Sequence, residues 1–136
     1  MIRLKIFLTF LTISASTMLK SQDIKNVDGL NKKVIKSITL VIVRDDRGNA
    51  TRHVREIKLS SEKFLDFLDD IKRTRNDGLV DVNEKYIVVI KTKRNKELRL
   101  TGQNMILVDK ENRNYFKADF NWTIKYWDKD LNNGGL

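Results

Sequence analysis

The sequence predicts an α+β fold: an antiparallel sheet of about six strands in β-β-α-β-β-β-β order, one long amphipathic helix on one face, and a short C-terminal helix or strand. Three observations predict it. Residues 59–78, LSSEKFLDFLDDIKRTRNDG, carry Phe64, Leu65, Phe67, Leu68 and Ile71 at the spacing of one helical stripe. Two runs, VIKSITLVIVR from Val34 and KYIVVIKTK from Lys85, are rich in β-branched residues and apolar on both faces, as central strands are. The connections between these segments are short and turn-like, which favours antiparallel neighbours.

Taken in order, Met1 to Ser21 has the layout of a secretory signal: Arg3 and Lys5, an apolar run from Ile6 to Ile13, then small residues. Fourteen residues separate Lys5 from Lys20, fewer than the ~20 that a spanning helix needs. Ser14 and Ser16 permit cleavage after Ser16, and Ser21 permits it before Gln22, the preferred site. The expected location is therefore secreted or periplasmic, with no stable membrane span after cleavage. Residues 22–33 read as a linker or lead-in, 34–128 as a single α+β domain, and 129–136 as a flexible tail.

Within the domain, the strand from Val34 ends in the turn Asp45–Asn49 and returns as Ala50 to Leu59, with Val54 out of phase, which suggests a bulge near Val54 and Arg55 or a solvent-facing valine. Ser60 is placed to cap the helix, with Leu59 and Phe64 as a hydrophobic staple and Gly78 beyond the end. Glu62, Asp66, Asp69 and Asp70 read as the wet side, where Asp69 can pair with Arg73. Residues 75–83 read as a loop. Lys85 to Lys93, Glu97 to Thr101, Met105 to Val108 and Asn114 to Ala118 are the later strands. In Asp119 to Trp127 a strand alternation competes with a helical one; a short helix capped by Asp119 or Asn121 is chosen, folded over the second sheet face with one tryptophan partly exposed.

The chain contains no cysteine, which excludes disulfides, thiol chemistry, thiolate zinc sites, iron–sulfur clusters and a lipidated N-terminal cysteine. It carries 27 Lys and Arg against 18 Asp and Glu, a formal net charge of +9. There is no phosphate-cradling glycine loop, nucleophile elbow or metal-binding histidine pair. The acidic pairs lack calcium-loop spacing and sit where turns or a solvated helix face explain them. No catalytic residue, metal ligand or cofactor is assigned, and the chain reads as a non-enzymatic binding or interaction module of the cell envelope or the outside.

Two groups of residues are candidates for binding. Arg52, His53 and Arg55 on the first hairpin and Lys91, Lys93, Arg94, Lys96 and Arg99 on the second form an anion-binding candidate. It would serve the alternative function, binding an anionic polymer such as nucleic acid, an acidic polysaccharide or lipid head groups. Trp122, Tyr126 and Trp127, in a segment holding six of the eleven aromatics, form a protein-docking candidate for another protein or envelope component. A monomer is the expected state and a dimer its alternative.

Overall fold

Each β-branched run lies in the interior of the sheet, with a neighbour on either side, where both of its faces can be used. In the computed structural model, which describes residues 27–45 and 52–132, the run Ile35–Asp45 forms β1 and Tyr86–Thr92 forms β4. The signal segment expected over 1–21 lies outside the described residues, as do most of the first hairpin's turn and the end of the tail. The other strands are β2 (Arg52–Lys58), β3 (Arg75–Asp77), β5 (Glu97–Gln103), β6 (Ile106–Asp109) and β7 (Asn114–Lys117), and the helices are α1 (Phe64–Arg73) and α2 (Trp122–Asn132). The strands make one antiparallel sheet in the order β2-β1-β4-β5-β6-β7-β3. The fold is α+β, with seven strands and two helices.

The element order therefore differs from the expected one. Arg75–Asp77, expected as loop, pairs with β7 and becomes the far edge strand. The expected long helix has ten residues and follows a 3-10 turn, Ser61–Lys63; Ser60 makes no side-chain cap. The C-terminal helix, expected to be short, runs for eleven residues, and Asn121 caps it by accepting from the Thr123 and Ile124 N–H groups at 3.0 and 3.4 Å. Gly78 does take positive φ, 110°, but after β3 rather than at the helix end. The bulge expected near Val54 is absent, because β1 and β2 stay in register from Thr39↔Lys58 to Asp45↔Arg52.

Both helices lie on one face of the sheet. Under them are Ile38 and Leu40, Val88 and Ile90, Leu98 and Leu100, Leu107 and Phe116, in adjacent registers across five strands. Phe67 of α1 is the hub: its ring meets Trp122, Tyr126 and Trp127 of α2 edge-on at 5.6, 5.1 and 5.8 Å. Edge-to-face rings at these separations gain the quadrupole attraction that a face-to-face sandwich lacks. The α1 stripe is narrower than its spacing suggests, since Phe64, Phe67, Leu68 and Ile71 are buried but Leu65 is 53% exposed. Val27 and Leu30, placed by sequence in a loose lead-in, are buried in the same core. Lys72 fixes that segment by donating to the Leu30 carbonyl at 2.7 Å.

Gly102 shows how tightly this face is filled. A Cβ there would lie 2.0 Å from the Tyr86 ring, so only glycine lets β4 and β5 pair with that ring between them. The Tyr86 hydroxyl reaches over to donate to the Asn104 carbonyl at 3.2 Å.

Candidate functional site

Because both helices share one face, the other face of the sheet is left without either of them. One register row crosses it through all seven strands: Glu56, Val41, Ile87, Thr101, Val108, Tyr115 and Asn76. The next row along the strands is Lys58, Thr39, Val89 and Arg99. Val41, Val43, Ile87, Ile106 and Tyr115 are only half-buried. Val108, buried at 1% exposure, separates Ile106 and Tyr115 from the rest, so the apolar patch left partly in water is Val41, Val43 and Ile87, the kind of surface that marks an interface. At its centre is a concavity of about 330 Å³ floored by Thr39, Val41, Val43, Ile87 and Val89. Glu56, Glu84 and Glu97 on its rim are balanced by Lys91 and Arg99, with Lys58 beside Thr39. Arg99 donates from Nε to Glu97 at 2.6 Å, and Lys91 faces Glu97 across the ladder.

A second arrangement is at the end of the sheet where β1 begins. Ile35 pairs with Thr92, and the Lys93 N–H donates to the Val34 carbonyl at 2.9 Å. Two stretches far apart in sequence, 32–36 (KKVIK) and 91–99 (KTKRNKELR), are thereby brought side by side. Lys32, Lys33 and Lys36 stand next to Lys91, Lys93, Arg94, Lys96 and Arg99, with Glu97 the single acid in either stretch. Both backbones are held by local bonds. Asn31 accepts from the Lys33 and Val34 N–H groups, and Thr92 Oγ1 accepts from the Lys96 N–H at 3.1 Å. Asn95 supplies the positive φ of 61° on which that turn depends.

The structure separates the residues of the anion-binding candidate. Arg52 and His53 pair with Asp45 and Arg44 at the far end of β1; ten residues at ~3.3 Å each put about 30 Å of strand between them and the β4–β5 turn. Their side chains lie outside the described residues. Arg55 sits on the helix-covered side, opposite Ile42, and donates to the Asp130 carbonyl at 3.1 Å, where a cation suits the C-terminal turn of α2. Lys32, Lys33 and Lys36, which share the end with Lys91, Lys93, Arg94, Lys96 and Arg99, have no motif in sequence; only the β1–β4 pairing brings them there. Of the docking candidate, Trp122, Tyr126 and Trp127 are buried at 0, 3 and 0% exposure. The α2 segment does fold back on its own sheet, but beside α1 and with neither tryptophan exposed.

One polar cluster lies inside the helix pair. Asp70, expected on the wet side of α1, is 6% exposed and accepts from Arg73 and Lys125 at 2.6 Å each and from the Tyr126 hydroxyl. Burial works to raise its pKa, but the bonds from Lys125 and Tyr126 and the charges of Lys125 and Arg73 prevail and hold it below the ordinary 3.8. Burial, then Asp70 itself, push Tyr126 above its ordinary value. That hydroxyl is a fixed donor near neutral pH, and the carboxylate is fully engaged, so the pair is a helix-to-helix tie rather than an acid–base couple. Among the described residues no group of three His, Asp or Glu side chains is arranged to hold a metal ion, and no helix is long and apolar enough to cross a membrane. Comparison with protein-family models, with curated proteins and with solved structures finds no match.

Proposed function

We propose that the protein is an exported, non-enzymatic interaction module of the cell envelope or the outside, working through the uncovered face of its sheet, and that the occupant of that face is a second copy of the chain. The observation that carries this reading is the register row from Glu56 to Asn76 with its half-buried Val41, Ile87 and Tyr115. Seven strands ~4.8 Å apart and three rows ~6.6 Å apart outline roughly 30 by 20 Å, or about 600 Å² a side. A pair would bury about 1,200 Å², the lower edge of a stable interface. Charge favours the same occupant. Two mature chains, each at +6 once Arg3, Lys5 and Lys20 leave with a signal cut before Gln22, repel each other over most of their surfaces, but this face sets Glu56, Glu84 and Glu97 against Lys58, Lys91 and Arg99 and is close to neutral. A two-fold arrangement can then set acids against bases.

Export is supported by the basic start, the apolar run and the small residues up to Ser21. Intact mass of the native protein tests it: a chain beginning after Ser16 or Ser21 is expected, and one beginning at Met1 would overturn it. Sedimentation equilibrium tests the face. Mass rising towards twice the monomer with concentration is expected, and Ile87→Asp should keep the far-UV spectrum and remain monomeric. A wild-type monomer at every concentration, or an Ile87→Asp chain that dimerises as well as wild type, sinks the sheet-face reading.

A further inference from the structure

We infer that the end of the sheet formed by residues 32–36 and the β4–β5 turn is a binding site for a single chain of acidic polysaccharide. The inference goes beyond the sheet-face reading; the two share Lys91 and Arg99, which also stand on the rim of the sheet-face concavity, so the test is placed on the other six cations. What carries it is placement. The β1–β4 pairing collects eight cations and one acid on two stretches whose backbones are already fixed by Asn31 and Thr92. Gathering like charges disfavours the folded state, and an anion relieves it. Fixed backbones reduce the ordering that binding would otherwise require.

The chemistry of the site selects among polyanions. Six of the eight cations are lysines, compact point charges that do not impose the bidentate geometry of an arginine fork. Single-stranded nucleic acid is held by aromatic rings that stack its bases, and the exposed large apolar side chains of the described residues are all aliphatic. A lipid surface is gripped by apolar side chains inserted beside the cations, and only Val34, 37% exposed, stands among these. The site spans three strands, β1, β4 and β5, about 10 Å across. That width suits one extended chain. The ligand chemistry is a repeating carboxylate or sulfate on a sugar backbone.

The experiment uses the full mature chain on immobilised heparin, a sulfated probe, and on immobilised polygalacturonate, which bears carboxylates alone. Three triple variants have equal charge change: Lys32→Gln, Lys33→Gln, Lys36→Gln; Lys93→Gln, Arg94→Gln, Lys96→Gln; and, as control, Lys85→Gln, Lys117→Gln, Lys129→Gln, all exposed and away from this end. Each end triple should elute at clearly lower salt than wild type and reduce the slope of log affinity against log salt by about 2 to 3. The control should elute near wild type. Retention on both resins assigns any acidic polysaccharide, on heparin alone a sulfated one, and on polygalacturonate alone a polyuronate. Equal shifts for end and control triples would reduce the effect to net charge and overturn the site. So would absence of retention on both resins at low salt, or duplex or single-stranded DNA displacing the protein from both resins more effectively than the polysaccharides do.

Discussion

At Asp70 the balance of terms decides what a single carboxylate is worth. Its bond to Arg73 involves a guanidinium that is 68% exposed, and such a pair contributes ~0–1 kcal/mol. Its bonds to Tyr126 and Lys125 join α1 to α2, and losing them leaves a buried hydroxyl and an ammonium short of a partner, at ~1–3 kcal/mol. Arg73→Ala should therefore be nearly silent, and Asp70→Asn should lower the urea midpoint distinctly. The pH dependence follows from the direction of the shift. A carboxyl held below 3.8 when folded contributes stability that is complete above 3.8 and is lost as pH falls through the lower folded value. Asp70→Asn should therefore lose stability at pH 7 and show a flatter decline below pH 4 than wild type. Equal losses at pH 7 and pH 2 would mean that the charge is not what matters. None of this was legible in sequence: the helical spacing puts Asp66, Asp69 and Asp70 on one side, and only the arrival of α2 turns one of them inward.

Among the elements, what the sequence showed and what it hid divide along physical lines. α1, β1, β4 and β5 were legible because each has enough periodic apolar residues to declare its buried face without help. β3 was hidden, since Arg75–Asp77 is polar and exposed throughout and becomes a strand only because β7 offers it a ladder. The lead-in was hidden for a related reason: Val27 and Leu30 are two isolated apolar residues, and their burial depends on α1 being in place. The charged end was half legible, as the hairpin is basic in sequence, but Lys32, Lys33 and Lys36 join it only through pairing. α2 was legible as a helix and misread as to its face. Phe120, Ile124 and Trp127 suggest one stripe, yet Ile124 is 58% exposed while Trp122, Tyr126 and Trp127 are buried. Trp122 is fixed from both sides, by Phe67 and by the bond from its Nε1 to the Met105 carbonyl at 3.0 Å. Acrylamide should accordingly quench the two tryptophans weakly and equally, with a blue-shifted emission. Strong quenching of either one in the folded monomer would show that α2 is not seated as described.

Across the whole molecule, charge is sorted rather than mixed, and this has a consequence for stability that packing does not share. The exposed side of α1 and the 3-10 turn before it carries Glu62, Asp66 and Asp69, the sheet face is close to neutral, and the cations of 32–36 and 91–99 are crowded at one end. Two ammonium groups ~8 Å apart in water repel by about 0.5 kcal/mol. Several such pairs among eight cations amount to roughly 1–2 kcal/mol when unscreened. The Debye length falls from ~30 Å at 0.01 M salt to ~8 Å at 0.15 M, so most of the repulsion beyond nearest neighbours is removed over that range. For a domain of this size 1 kcal/mol corresponds to ~4–8 °C. The thermal midpoint should therefore rise by several degrees between 10 and 150 mM sodium chloride. Sodium chloride is the right probe, because it screens charge with little effect on apolar burial, which sulfate would also strengthen. Lys32→Gln, Lys33→Gln, Lys36→Gln should begin with a higher midpoint at 10 mM and gain less with salt, whereas Lys85→Gln, Lys117→Gln, Lys129→Gln should follow wild type. If all three proteins respond to salt alike, the repulsion is spread over the surface and the crowding at the β1 end has no energetic weight.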